Sequence, residues 1–341
     1  MQRNFVLTDL MKTGNHQNID NFILMHSLDN QDFTVTGEYY TLHQYDLDSY
    51  DRKFAIIDRT KYAPGHPADH PEFETELLRR KKLLHSQGFV FILATPWESQ
   101  ENIDTMDVYP KQTDEYSWSG GVDWFWFYMY QKHNTKTHLF DHGNKSYDFL
   151  YLNKRSRSHR EQLFQKVSEA GLLENSLYTK WPNVKLPKEY ELPWVQDYPS
   201  MGMDQDLYAK PYNDSKYSII SETNDNNNEI FMTEKIWKPI IAQQIFVLHG
   251  NYLYLQKLRE MGFKTFSKYF DESYDLEIDR SKRIEKITAT CLQLQKQNWK
   301  DLYLQTQALR QHNFDTFFNK EKLSEQINKT INLFLEFADS R

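Results

Sequence analysis

Cysteine and glycine are scarce in this sequence of 341 residues. Cys291 is the only cysteine, so no disulfide can form within the sequence, and a reducing compartment is expected. The 11 glycines form no Gly-x-Gly-x-x-Gly, Walker or Gly-x-Ser-x-Gly motif. These absences argue against dinucleotide-dependent enzymes, P-loop NTPases and α/β-hydrolases.

Long apolar runs are also lacking. The longest runs, 88–94 and 240–248, are far shorter than the roughly 20 residues that a membrane-spanning helix needs. The first ten residues lack the apolar core of a signal peptide. We therefore expect a cytoplasmic protein without a membrane span. A net charge of −7 argues against a protein that binds nucleic acid over most of its surface, although a local basic patch is compatible with this charge.

Aromatic residues are abundant, with 22 Tyr, 22 Phe and 8 Trp, and ring-lined clefts suit sugars and bases. Apolar runs alternate with helical patterns, which is typical of an α/β protein with largely parallel sheets. The predicted strands are 51–59, 89–94, 147–152, 217–221 and 245–248, and the predicted helices are 72–85, 158–171, 252–261, one from 233, one from 280 and one near 323–334. The ring-dense segment 122–130 fits either a helix or a strand.

Several residues predict where elements begin and where domains divide. Ser158 and Glu161 form a Ser-x-x-Glu capping box, Thr233 is a candidate cap for the next helix, and Asn251 for the one after. The polar break at 141–145 predicts a domain boundary and a hinge.

Two strand-to-helix junctions carry the chemistry. A basic loop follows the strand 147–152 and places Arg160 in the first helical turn, and a polar loop follows the strand 217–221 and leads to Lys235. In open α/β sheets, ligands bind beyond the carboxyl ends of strands, and helix N-termini attract anions. We therefore expect Arg160 and Lys235 to share an anion. The alternative is that the loop before Arg160 is simply a solvated basic loop. Glu234, next to Lys235, either forms hydrogen bonds to ribose hydroxyls or compensates the helix dipole.

Five segments in this order resemble the donor domain of glycosyltransferase family 10, the α-1,3-fucosyltransferases, and most closely its bacteriophage-encoded members. They are NKRSRSHR at 153–160, SETN at 221–224, FMTEKIWKP at 231–239, FVLHG at 246–250 and GFKTF at 262–266. The resemblance covers about residues 147–290. The segment SETN departs from the family's Glu-Asn pattern and is followed by a longer Asn-rich loop.

This resemblance implies a GT-B fold, with two Rossmann-like domains facing a central cleft and C-terminal helices packing back across. The implied domains are an acceptor-side domain 1–143, a nucleotide-sugar-binding domain 144–300 and C-terminal helices 301–341. The implied reaction inverts the anomeric centre without a bound metal or other cofactor, with GDP-fucose as the usual donor. A glycan, a protein or a modified DNA base would be the acceptor, in host cytoplasm if the protein is viral.

The resemblance also implies roles for single residues. Arg160 and Lys235 match the diphosphate-binding pair, Glu234 a nucleotide contact and Phe231 the donor-site aromatic. The other implied donor-binding residues are Glu222, Thr223, Asn153, Arg157 and Thr233. The segment 97–99 faintly resembles the family's Phe-Glu-Ser-Pro segment, which makes Glu98 the candidate catalytic base; the alternative is an ordinary surface glutamate.

Two rival classes are weighed against this prediction. Metal-dependent transferases use an Asp-x-Asp pair, and the sequence has two, at 46–48 and 204–206, which is about the number expected by chance. His66 and His70 could also bind a metal, but they have no further ligand nearby. No metal site is therefore expected. The second rival is a non-catalytic nucleic-acid or carbohydrate-binding protein that uses the rings of 124–130 with Lys154, Arg155 and Arg157.

Overall fold

A computed structural model of the chain describes residues 5–9, 33–35, 44, 46–50, 52–58, 79–80, 82–94, 98–99, 115–118, 121–134, 140, 143–153, 156–180, 184–185, 207–225 and 229–339. The chain splits into two compact units. The first comprises Met1–Trp124 with Leu323–Arg341, and the second comprises Phe125–Lys322. Each unit contains its own largely parallel sheet, which confirms the predicted α/β class. The predicted central cleft stays a prediction.

The described strands of the first unit include a parallel sheet of five strands. In chain order the strands are β1 (Phe5–Asp9), β2 (Phe33–Val35), β3 (Arg52–Asp58), β4 (Phe89–Ala94), β5 (Glu98–Ser99) and β6 (Glu115–Trp118). The sheet has the order β2-β1-β3-β4-β6. The predicted strands 51–59 and 89–94 are confirmed. Residues 82–86 are helical, and Gly88, at φ 82°, adopts the left-handed conformation that ends this helix before β4.

The second unit contains the segments that resemble a donor domain. Its strands are β7 (Tyr147–Asn153), β8 (Leu177–Lys180), β9 (Val184–Lys185), β10 (Ser215–Ser221), β11 (Glu229–Ile230) and β12 (Ile245–His249). A sheet of order β12-β10-β7-β8-β9 forms among the described residues, parallel except for the pair β8 and β9. Ser221 pairs with His249, so β10 and β12 end together at the carboxyl edge of the sheet.

The helices from residue 121 onward belong mostly to the second unit, and the last of them passes into the first unit at Leu323. They are α1 (Gly121–His133), α2 (Ser158–Glu169), α3 (Ala209–Asp214), α4 (Glu234–Ile241), α5 (Tyr254–Glu260), α6 (Arg280–Lys296), α7 (Trp299–Phe318) and α8 (Lys320–Asp339). Helix α2 packs against α6, and α4 packs against α7. The predicted apolar stripe of α6 is buried, namely Ile284, Ile287, Cys291 and Leu294. In the described part of the chain, no helix has the length and apolarity to cross a membrane.

The ring-dense segment that the sequence left open is the helix α1. Trp126 lies in the centre of an aromatic cluster, with ring centroids 5.6 Å from Trp237, 5.1 Å from Phe263 and 6.4 Å from Phe317. Its indole Nε1 donates a hydrogen bond to the carbonyl of Phe317 over 2.9 Å. These contacts join α1 to α4 and α7 within the second unit. They explain why the division between the units falls at Trp124, before the predicted boundary at residue 143.

The predicted hinge at 141–145 stays a prediction, but its last residue, Lys145, is buried and bonded within the second unit. Its ammonium donates to the carbonyls of Tyr212 and Asn213 over 3.0 and 3.1 Å. The next residue, Ser146, donates its backbone N–H to the carbonyl of Asp214 over 2.9 Å. The residues that lead into β7 are therefore anchored to the end of α3.

Two predicted helix caps also differ from the structure. Ser158 is the first residue of α2 rather than its cap, and no side-chain hydrogen bond caps this helix among the described residues. Asn251 does not cap α5, because its side chain accepts the backbone N–H of Phe231 over 2.9 Å. The carboxylate of Asp275 caps α5 instead, accepting the N–H groups of Leu255 and Gln256. The third prediction, Thr233 as the cap of α4, is confirmed.

Candidate anion-binding site

The two predicted cations meet at one hydroxyl group. Arg160 donates from Nη2 to Oγ1 of Thr223 over 3.4 Å, and Lys235 donates from Nζ to the same oxygen over 3.2 Å. Arg160 belongs to the first turn of α2, and Lys235 to the first turn of α4. We call Arg160 and Lys235 the cation pair. Two separate helix beginnings thus bring positive charge to the residues that follow β10, as the sequence predicted.

Arg160 is held rigidly, with 5% of its surface exposed. Its Nε and Nη2 donate to the backbone carbonyl of Glu222 over 3.1 and 3.0 Å. Burial, together with the nearby positive charge of Arg157, lowers the pKa of Arg160, while Glu222 and Glu234 oppose this change. Arg157 is therefore close enough to add positive charge at the site, although its own side chain is exposed. Converging cations of this kind favour an anionic ligand.

Lys235 is positioned by the residues that start α4. Thr233 caps the helix, and its Oγ1 accepts from the Lys235 ammonium over 3.0 Å. Glu234 accepts from the same ammonium over 2.6 Å. Burial disfavours the charged form of Glu234, but the positive charges of Lys235 and Lys238 hold its pKa below the usual value. Glu234 is thus an ionised partner of Lys235 whose carboxylate lies beside the cation pair.

Glu222 faces inward rather than toward a ligand. It is fully buried, and its carboxylate accepts the backbone N–H of Thr233 over 3.1 Å and the hydroxyl of Thr233 over 2.7 Å. The backbone N–H of Thr223 also approaches it, at 3.2 Å. The predicted donor-binding residue therefore holds both threonines that contact the cation pair.

Two further predicted residues lie at the same edge of the sheet. Asn153 ends β7, and its backbone is bonded to the hydroxyl of Thr179, whereas its buried side-chain amide has no hydrogen-bond partner within the described part of the chain. Phe231 is nearly buried, and its ring packs edge-on against Phe125 at 5.9 Å between centroids.

Sequence reasoning missed a charged network beneath the cation pair. The buried carboxylate of Asp225 pairs with Arg280, and Arg283 donates to the carbonyl of Gly250 over 2.7 Å. His159 donates from Nε2 to the carbonyl of Glu222 over 2.9 Å, and its Nδ1 lies 3.6 Å from Asp225. Helix α6 thereby holds the loops that follow β10 and β12. The residues of these loops that Arg280 and Arg283 of α6 contact are more than 30 positions away in the sequence, so no local sequence pattern indicated these contacts.

His249, at the end of β12, makes the stability of the protein sensitive to acid. Burial, the neighbouring His159 and the two arginines lower its pKa from 6.5 to about 3, against the attraction of Asp225. The native state keeps the ring neutral, while the unfolded chain protonates it below about pH 6.5. The free energy of unfolding should therefore fall as pH drops from 6.5 toward 3, with a slope approaching about 1.4 kcal/mol per pH unit.

The measurement is urea unfolding at several pH values between 7.5 and 5, with wild type compared with His249→Asn. The variant should show a shallower loss of stability because one depressed group is removed. Burial also lowers the pKa of His159, which titrates with the same sign and remains in the variant. Identical slopes for the two proteins would contradict the assignment.

Several predicted residues lie outside the described side chains. Glu98 starts β5, but its side chain is not described, so its role as the base stays a prediction. Lys154, Arg155, Asp204, Asp206, His66 and His70 lie outside the described residues. In the described ranges, no three His, Cys, Asp or Glu side chains gather as a metal site would require.

Comparisons with known proteins give similarity at a low level. No protein-family model matches the chain, and no curated protein matches it. A solved structure of a T4 phage BGT mutant in complex with UDP-glucose is 9% identical over 98% of this chain and 99% of that chain, with a TM-score of 0.46. A solved structure of the DNA modifying enzyme β-glucosyltransferase, in the presence and absence of its substrate uridine diphosphoglucose, is 11% identical in sequence. The match covers 96% of this chain and 99% of that chain, with a TM-score of 0.47. Membership of glycosyltransferase family 10 stays a prediction.

Proposed function

We propose that the chain is a glycosyltransferase whose second unit binds the diphosphate of a nucleoside-diphosphate sugar on the cation pair. The observation that carries this proposal is the convergence of Arg160 and Lys235 on the hydroxyl of Thr223. This convergence occurs where β7 and β10 lead into helices, which is the place where open α/β sheets bind phosphates. An arginine fork and a lysine ammonium are the usual donors to phosphate oxygens.

The proposed reaction inverts the anomeric centre. The oxygen of an acceptor hydroxyl attacks the anomeric carbon, and the bond from that carbon to the diphosphate oxygen breaks, with its electron pair leaving on the diphosphate. The cation pair stabilises the charge that develops on the leaving group. Glu98 is the predicted base that takes the acceptor's proton. In this proposal the cation pair supplies the charge that a bound metal supplies in other transferases.

The donor-domain segments favour GDP among the nucleotides, with a fucose-like sugar, and we propose a glycan, a protein or a modified DNA base as the acceptor. The non-catalytic rival requires the rings of 124–130 to be accessible for stacking. Trp126 and Phe127 are instead buried, which weighs against that rival.

Nucleotide binding tests the proposal. In a thermal-shift assay with GDP, UDP and ADP, we expect one of them to stabilise the protein, by about 2.7 kcal/mol at 100 times its Kd. The stabilisation should persist in EDTA, because the site uses side-chain cations. Failure of all three nucleoside diphosphates, combined with tight binding of DNA, would favour the rival function.

A further inference from the structure

Glu222 is a buried carboxylate that is satisfied by neutral donors. Besides the donors of Thr223 and Thr233, the hydroxyl of Tyr254 donates to its Oε1 over 2.7 Å. Within the described residues, no lysine, arginine or histidine forms an ion pair with this carboxylate. A buried charge without an ionic partner depends on its hydrogen bonds, and each donor that is lost leaves a costly unsatisfied lone pair.

Tyr254 reaches this carboxylate because Gly250 has no side chain. A Cβ on Gly250 would lie 2.7 Å from Cδ2 of the Tyr254 ring and 3.3 Å from Cε2 and Cγ. Real Cβ atoms do not approach ring carbons so closely, so the ring sits where any other residue would displace it. The carbonyl of Gly250 is fixed by Arg283, which holds the glycine in place.

We propose that Tyr254, seated on Gly250, is a positioning residue that acts through Glu222 on both members of the cation pair. The path has two branches. The carboxylate of Glu222 holds Thr233, whose hydroxyl accepts from Lys235, and the backbone carbonyl of Glu222 holds Arg160. This inference rests on the proposed function, because it specifies how the diphosphate site is kept in shape.

Tyr254 remains protonated over the working pH range of the protein. Burial, and then the negative charge of Glu222, raise the pKa of Tyr254 well above its ordinary value. The phenol is therefore a permanent donor to Glu222.

The test compares Tyr254→Phe with Tyr303→Phe in the full chain. Tyr303 is a matched control, because it is also buried and its hydroxyl donates to a backbone carbonyl, that of Lys216, over 2.9 Å. We expect Tyr254→Phe to weaken the binding of the nucleoside diphosphate by about 10-fold in calorimetry. Tyr303→Phe should lower the melting temperature and leave the affinity for the nucleoside diphosphate unchanged.

Gly250→Ala provides an independent variant, because it disturbs the ring while keeping its hydroxyl. It should also weaken nucleotide binding, and so should Glu222→Gln, which remains informative if the first variant folds poorly. Wild-type affinity in folded Tyr254→Phe and Gly250→Ala, alongside weak binding by Lys235→Ala, would overturn the positioning role and leave the proposed function intact. Failure of the wild-type protein to bind any nucleoside diphosphate would instead overturn the proposed function.

Discussion

Replacing Lys235 with alanine is expected to lower the rate of sugar transfer by on the order of 10²-fold or more. The ammonium is fixed by Thr223, Thr233 and Glu234 before any ligand arrives, so it stabilises the departing diphosphate without reorganisation. Its removal also leaves Glu234 without its ionic partner, and the remaining carboxylate would repel the donor. The measurement is the initial rate of donor turnover with the nucleotide sugar whose base gives the thermal shift.

Lys210→Ala is the matched control for this experiment. Lys210 carries the same charge but forms an exposed ion pair with Asp214 one helical turn away, and such pairs contribute little. This variant should retain the wild-type rate. Lys235→Arg, which keeps the charge but changes its geometry, should fall between the two. Wild-type turnover by Lys235→Ala would remove the assignment of Lys235 to the diphosphate site.

Replacing Trp126 with alanine is expected to destabilise the protein by about 3–5 kcal/mol, the usual range for a large buried ring. Its ring is 1% exposed and touches three other aromatic rings, and its Nε1 satisfies the carbonyl of Phe317. The substitution therefore leaves both a cavity and a buried carbonyl without its donor. Urea unfolding, with the m-value checked for constancy, gives the free energy of unfolding.

Trp299→Ala serves as the comparison, because Trp299 is only half-buried and lies at the start of α7. Trp299→Ala should lower the free energy of unfolding clearly less than Trp126→Ala does. Equal losses for the two variants would contradict the central place of Trp126 in the aromatic cluster. The comparison also bears on the site, since Trp237 in that cluster lies two residues after Lys235 on α4.

The strands and the cation pair could be predicted because their signals are local. The apolar run Phe89–Ala94 forms β4, and the apolar run at Ile245–Leu248 forms most of β12. Arg160 and Lys235 each lie at the start of a predicted helix that follows a predicted strand, and parallel strands place such helix beginnings at one edge of a sheet. Thr233 could be identified as a cap for the same reason, because a cap depends on the next few residues.

The rest of the site depends on contacts between distant residues. Tyr254 donates a hydrogen bond to the carboxylate of Glu222, which is 32 positions away, and His159 donates one to the carbonyl of Glu222, which is 63 positions away. Helix α1 remained ambiguous because its burial comes from rings on α4 and α7 rather than from a one-sided pattern of its own. Asn251 failed as a cap because Asp275 takes that role across a gap of about 20 residues.

The hydroxyl of Thr223 gives the site a chemical polarity. A hydroxyl oxygen has two lone pairs and one hydrogen. Both lone pairs are engaged by Arg160 and Lys235, so the hydrogen must point away from both of them. Guanidinium, ammonium and hydroxyl therefore present only hydrogen atoms to an incoming group. These three groups can therefore bind oxygen atoms with lone pairs, such as those of a phosphate.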